Sequence, residues 1–401
     1  MKRFLITLFI SASLCAPWLS AQDFSGSMEA RLGWSWGASD LAPQTQVAEG
    51  RVDGRIGPAD LPCGQYSARV KVVFDPATAA SSLSLGEAWI KLFAGPFDLS
   101  FGNQVVAWSV CDAFWPSDVV NPWDMSLPVD PVRMPVPLAR ALWTCGPISL
   151  DLVVHPWWFA AVTPASRWLP SNALADAGFT LTFADNKPAF DWENVAYGGH
   201  LKASVDLLQG LDLGATFHRG RLSTARSVVA ITGMSSAAID LEYDPATMVG
   251  ADLVLAPGAG FLLKTEWAYT ALRDTSLLEP EADAATLEGV SGLEYSIGSF
   301  QVIGEYVYDW AKGNTALGDT ERHSAVLILS GDVGSRLSLK VAGIYDFSDG
   351  GSGMVTPQIS YTLADGLSLA CVSWFFMGDP ATRYGAWKDN ALGRISLKYS
   401  F

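Results

Sequence analysis

Gly393-Arg394-Ile395-Ser396-Leu397-Lys398-Tyr399-Ser400-Phe401 ends the sequence. On an extended backbone Ile395, Leu397, Tyr399 and Phe401 share one face, and Arg394, Ser396, Lys398 and Ser400 share the other. Successive side chains of a strand point to opposite faces, so this period of two predicts a β-strand with one apolar and one wet side. The rhythm recurs upstream. Tyr66, Ala68, Val70, Val72 and Phe74 alternate with Ser67, Arg69 and Lys71. Phe261, Leu263, Thr265, Trp267 and Tyr269 alternate with Leu262, Lys264, Glu266 and Ala268, and Val302, Gly304, Tyr306, Tyr308 and Trp310 with Ile303, Glu305, Val307 and Asp309.

Further strand-like stretches lie near 28–36, 84–94, 97–108, 146–155, 177–184, 197–208, 210–219, 237–243, 248–255, 286–297, 324–330, 335–347, 353–364 and 366–377. Many run about ten residues, the length a tilted strand needs to cross a bilayer. Gln209-Gly210, Ile297-Gly298-Ser299, Asp332-Val333-Gly334 and Asp365-Gly366 read as tight turns between antiparallel neighbours. Longer connectors fall near 37–63, 109–145, 156–176, 271–285, 311–323 and 378–390. Short turns on one rim and long loops on the other are how outer-membrane barrels are built. Trp34, Trp36, Trp108, Trp267, Tyr269, Trp310 and Trp374 lie near strand ends, where interfacial aromatic girdles belong.

Composition narrows the class. The 401 residues carry a formal net charge of −15; 49% are hydrophobic and only 17% charged. A disordered chain needs low hydrophobicity and dense charge, and a nucleic-acid binder needs surplus Lys and Arg, so both are excluded. Mean hydropathy is +0.21, yet every internal apolar run stops well short of the about 20 residues a spanning helix needs. Lys2 and Arg3 precede an apolar run from Phe4 to Leu14, with small residues Ser20 and Ala21 beyond it. This predicts an export signal over 1–21, cleaved after Ala21, and a single barrel domain over 22–401. Cleavage at Cys15, as in a lipoprotein, would put the bulky Leu14 where a small residue is wanted.

The expected fold class is all-β, an antiparallel transmembrane β-barrel of roughly 16–18 strands, an even count as in bacterial single-chain barrels. A barrel of that size holds water in its lumen. Arg69, Lys71, Lys264, Glu266, Glu305 and Lys398 are the strand charges expected to face that lumen, since charge against lipid is costly. Segment 109–145 breaks the rhythm. It is too long for a simple connector, and Trp115, Trp123 and Trp143 need something to bury against. It is expected to fold into or over the lumen, with Asp112, Asp118, Asp124, Asp130, Arg133 and Arg140 facing one another as a pore constriction. The competing reading is a rigid extracellular loop whose charges are solvated. Cys111 and Cys145 bracket the segment, and a disulfide between them would staple its ends; free thiols are the alternative. His155, His200, His218 and His323 are scattered, with no Cys/His spacing that suggests zinc, so neither metal nor cofactor is expected.

Phe101-Gly102-Asn103-Gln104-Val105-Val106-Ala107-Trp108-Ser109, followed by Asp118-Val119-Val120-Asn121-Pro122-Trp123-Asp124, resembles a known signature. It is the G-R-Q-V-V-x-W-G … N-V-V-N-P-x-D pattern of a largely uncharacterised family of porin-like Gram-negative outer-membrane proteins, reminiscent of alginate-export-type barrels. Asn103 stands where that family has Arg and Ser109 where it has Gly, so no role of that Arg carries over. The resemblance implies an outer-membrane β-barrel and supplies no substrate. The last strand likewise resembles the terminal strand of such barrels, whose final Phe is read by the barrel-assembly machinery. Tyr399 and Phe401 would be that signal.

The function expected is a channel for passive diffusion of small hydrophilic solutes. Its partners would be outer-membrane lipid, the assembly machinery and the solute, without nucleic acid. Acidic excess would favour cations if carboxylates line the lumen, while lumenal Arg and Lys would attract anions. A surface adhesin or structural barrel with a closed lumen, and a substrate-specific exporter or importer, are the alternatives. An enzyme would need a nucleophile or carboxylate pair near a His, and the sequence has no G-x-S-x-G, H-E-x-x-H or compact Ser-His-Asp grouping. Residues 346–351 lack the spacing and terminal Glu of a calcium loop and read as a Gly-rich turn.

Overall fold

The computed structural model describes residues 24–35, 48–61, 63–75, 80–169, 177–207, 209–272, 284–313 and 319–401. The export signal expected over 1–21, and Trp36, lie outside the described residues. In chain order the first strands are β1 (Phe24–Ser35), β2 (Ala48–Leu61), β3 (Gly64–Asp75), β4 (Ala80–Ala94), β5 (Phe97–Gln104), β6 (Trp123–Asp124), β7 (Val132–Arg133), β8 (Val136–Cys145) and β9 (Ile148–His155). There follow β10 (Thr180–Asn186), β11 (Ala196–Val205), β12 (Leu211–Arg221), β13 (Arg226–Gly233), β14 (Ser236–Glu242), β15 (Pro245–Gly258) and β16 (Phe261–Leu272). The last are β17 (Ala285–Ile297), β18 (Phe300–Lys312), β19 (Thr320–Val333), β20 (Leu337–Asp346), β21 (Ser352–Ala364), β22 (Leu367–Met377) and β23 (Leu392–Ser400).

Eighteen of these strands form one antiparallel sheet that closes on itself, because β1 pairs with both β2 and β23. Closure leaves no unpaired edge, which is why a sheet can span lipid at all. Gly26 and Phe401 exchange backbone hydrogen bonds of 3.0 Å at the seam, and the Phe24 and Phe401 rings lie 5.8 Å apart on its outer face. A Cβ on Gly26 would come within 2.7 Å of both the Asp53 carbonyl oxygen and the Phe401 ring. The seam therefore requires glycine there. Burial follows the expected alternation. On β19, Leu327 and Leu329 are 51% and 43% exposed, whereas Val326 and Ile328 are 7% and 8%. The turns at Gly298 and Gly334 hold φ of 59° and 67°, where a Cβ is unfavourable. Short turns share one rim with the start of β1 and with Phe401; the long connections gather on the other rim.

Four placements differ from the sequence reading. Residues 48–61, read as connector, are β2; its inward residues Glu49, Arg51, Asp53 and Arg55 face outward positions held partly by Gly50 and Gly54, so no apolar stripe marks the strand. Residues 136–145, read as the end of the long segment, are wall strand β8, masked by Pro135 and Pro137. That returns Arg140 and Trp143 to the wall and shortens the irregular segment to 105–135. Residues 177–184 and 237–243, read as wall strands, belong instead to a separate three-stranded sheet of β10, β14 and β13 on the long-loop rim. Trp108 and Trp374 are not girdle residues: they are 4% and 3% exposed, and each hydrogen-bonds a group inside the barrel.

Candidate functional site

After Gln104 the chain leaves the wall, turns into the lumen and rejoins the sheet at Val136. Irregular backbone at membrane depth is tolerated only where its N–H and C=O groups find partners within the protein. Here side chains supply them. Asn121 accepts from the Val106 N–H at 2.7 Å and donates to the Gln104 and Met134 carbonyls at 2.9 Å each, clasping the two ends of the segment. Asp118 accepts from the Trp108 and Ser109 N–H groups at 2.6 and 3.1 Å. From the opposite wall, Glu266 accepts from the Val110 and Ser117 N–H groups at 2.9 and 2.7 Å and from the Ser109 hydroxyl at 2.5 Å. Glu305 accepts from the Asp112 and Ala113 N–H groups at 2.7 and 2.9 Å. Glu266 and Glu305 are 0% and 3% exposed. Both anchor the segment to the wall.

Apolar contacts complete the seat. Cys111 packs with Val290, Ile303, Val307, Val326, Ile328, Ile344 and Tyr384, with Phe114 and Trp387 against them. The inward positions of β17–β20 are therefore partly apolar, because the segment covers them. The segment also ties to neighbouring loops: Met125 and Val162 N–H groups bond the Val162 and Trp123 carbonyls at 3.0 and 2.9 Å. The Trp374 and Trp387 indoles donate to the Val129 and Trp168 carbonyls at 3.2 and 2.9 Å.

Of the six charges read as a constriction, five are paired within the protein rather than opposed across open space. Asp118 pairs with Arg133, whose guanidinium lies 5.6 and 4.9 Å from the Trp115 and Trp123 ring centroids. Burial pulls the Arg133 guanidinium below its ordinary pKa. Asp112 binds Lys264 at 2.7 Å, and Lys264 also reaches Glu294 at 3.0 Å. Asp130 binds Arg394 at 2.8 Å. Arg140, on β8, makes two 2.8 Å bonds to Asp151, which also accepts the Trp108 indole N–H at 2.9 Å. Asp124 accepts the local Ser126 N–H at 3.0 Å and, among the described residues, has no ion pair. Elsewhere on the inner wall Arg69 binds Asp53 through two donors, Lys71 lies opposite Asp53 in register, and Lys398 lies opposite Glu29. The Cys111–Cys145 disulfide does not form: both thiols are free, Cys111 buried between the segment and the wall and Cys145 exposed at the short-turn rim. Burial, with Glu305 and Glu266 nearby, pushes the Cys111 thiol up.

Between the segment and strands β17–β23 lies a cavity of about 710 Å³. Glu288, Asp309 and Arg383 line it together with aromatic residues that include Trp374, Tyr384 and Trp387. The sequence reading quoted Asn121 only within the signature and passed over Asp151, Glu288 and Arg383. The first two were legible as polar residues amid apolar neighbours. Nothing local distinguishes Glu288 or Arg383.

No family model matches the chain, so the signature in residues 101–124 and its alginate-export flavour rest on those residues alone. No curated protein matches it either. Solved structures do. OccAB4 of Acinetobacter baumannii aligns over 94% of this chain and 97% of its own, at 11% identity and a TM-score of 0.56. OccK11 (OpdR) of Pseudomonas aeruginosa aligns over 94% and 95%, at 12% identity and a TM-score of 0.53. OccAB3 of Acinetobacter baumannii aligns over 94% and 98%, at 10% identity and a TM-score of 0.51. The likeness is one of fold. This chain shares with them a closed antiparallel β-barrel, here of eighteen strands.

Proposed function

We propose that this barrel is an outer-membrane channel for passive diffusion of small hydrophilic solutes, narrowed by residues 105–135. The observation that carries the reading is the seating of that segment on Glu266 and Glu305, across a wide eighteen-stranded lumen. Charged and hydrogen-bonding groups along the remaining inner wall suit hydrated solutes. No chemical step is invoked. Residues 1–21 would direct export and be removed, and Tyr399 and Phe401 would present the terminal strand to the assembly machinery.

A closed-lumen barrel is the second reading, favoured by the apolar packing of the segment's Cys111 with Tyr384 and the wall. Single-channel recording of refolded protein in a planar bilayer, under a salt gradient, separates the two. Stepwise currents are expected, with the reversal potential giving the sign of the selectivity. Silence from a barrel shown to be folded would overturn the channel reading in favour of the closed one.

A further inference from the structure

Glu288 on β17 and Asp309 on β18 stand directly opposite each other, and both line the cavity beneath the inward segment. Like charges in that position repel. The other carboxylates of this cavity wall are matched, Asp112 by Lys264 and Asp130 by Arg394. Among the described residues, Glu288 and Asp309 make no close ion pair; the guanidiniums of Arg383 and Arg322 attract Asp309 from farther away. Arg322 faces Asp309 from β19 in register, also without an ion pair. Arg383 enters from the loop between β22 and β23. Its Nη1 is buried without a hydrogen-bond partner, and its nearest carboxylate, Asp346, is 4.0 Å away. Asp346 lies in the row of Ser324 and Val307, so Arg383 stands at the same end of the cavity as Asp309. Tyr384 and Trp387, packed edge to face with an interplanar angle of 82°, add an apolar wall beside these charges.

We propose that this cavity binds a small zwitterion with an apolar body: its ammonium lies between Glu288 and Asp309, its carboxylate on Arg383, and its body against Tyr384 and Trp387. A volume of about 710 Å³ suits a small ligand. Two charged ends of opposite sign answer both the facing carboxylates and an arginine that Asp346 holds only at 4.0 Å, whereas a simple ion answers only one set. The proposal rests on the channel reading and names its solute class.

Calorimetric titration of the refolded barrel in detergent tests it with three probes: phenylalanine, phenylalaninamide (ammonium only) and 3-phenylpropionate (carboxylate only). Phenylalanine is expected to bind at least tenfold more tightly than either one-ended probe. The double variant Glu288→Gln, Asp309→Asn is expected to reduce phenylalanine to the level of 3-phenylpropionate, and Arg383→Gln to the level of phenylalaninamide, with heat-modifiable gel mobility showing that each barrel is folded. Equal binding of all three probes, or variants that bind phenylalanine like the parent, overturns the proposal. Conductance measured in parallel keeps the two readings apart. An open pore without zwitterion preference sinks only this site, and a silent barrel that still prefers phenylalanine sinks only the channel.

Discussion

Asp118 illustrates what one carboxylate does inside this barrel. Its side chain is 1% exposed, and it serves two backbone N–H groups and the Arg133 guanidinium together. A buried charge whose partner is removed costs far more than the pair itself contributes, on the order of 3–5 kcal/mol. Asp118→Ala is therefore expected to destabilise the barrel by about that amount, because Arg133 loses its counter-charge and the N–H groups of Trp108 and Ser109 lose their acceptor. Asp118→Asn keeps a carbonyl oxygen for the N–H groups and should lose less. Urea unfolding of refolded protein checks the order, and an Asp118→Ala barrel as stable as the parent would show that this network does not hold the segment. The sequence marked both Asp118 and Arg133 as lumenal charges but set them across the pore from each other. Which charge pairs with which depends on the path of an irregular segment, and no periodicity encodes that path.

At the scale of the element, the inward segment is held by hydrogen bonds to ionised side chains, each contributing about 1.5–3 kcal/mol. Glu266→Gln and Glu305→Gln keep the shape but replace an acceptor-only carboxylate with a group half of which donates, so the backbone N–H groups of the segment lose part of their seat. The double variant is expected to conduct more than the parent and to be cut by protease within residues 109–117, both read on protein refolded identically. Unchanged conductance would mean that another feature sets the narrowest point. The strands themselves were legible where one face is continuously apolar, as in β16, β18 and β23. β2 was not, because glycines occupy part of its lipid face, and β8 was not, because Pro137 sits within it. β10 and β14 alternate as wall strands do yet pair with each other in parallel outside the wall. The predicted strand number thus fell in the right range partly because two strands missed were offset by two misplaced. Alternation reports a sheet with two unlike faces and is silent on which sheet.

For the whole molecule, the four described cysteines report orientation. Cys63 and Cys145 are exposed and lie on the rim of short turns, between β2 and β3 and at the end of β8. Cys371 pairs in register with Ile359 and Ile395, which are 52% and 40% exposed on the outer face of the wall, so it faces the hydrocarbon. Cys111, on the inward segment, is buried against the wall, and burial raises its thiol away from the reactive thiolate. In an outer-membrane barrel the short turns face the periplasm. A charged maleimide carried on a polymer too wide for the pore should therefore label none of the four cysteines in intact cells. After the outer membrane is permeabilised it should label Cys63 and Cys145 and still spare Cys111 and Cys371. Ala381→Cys, on an exposed position of the opposite rim, supplies the counterpart and is expected to react before permeabilisation. Labelling of Cys63 and Cys145 in intact cells, with Ala381→Cys protected, would invert the barrel. Protection of all three after permeabilisation would remove both rims from water and contradict a transmembrane wall of this height. The experiment needs no knowledge of the solute, because it depends only on which rim meets which compartment.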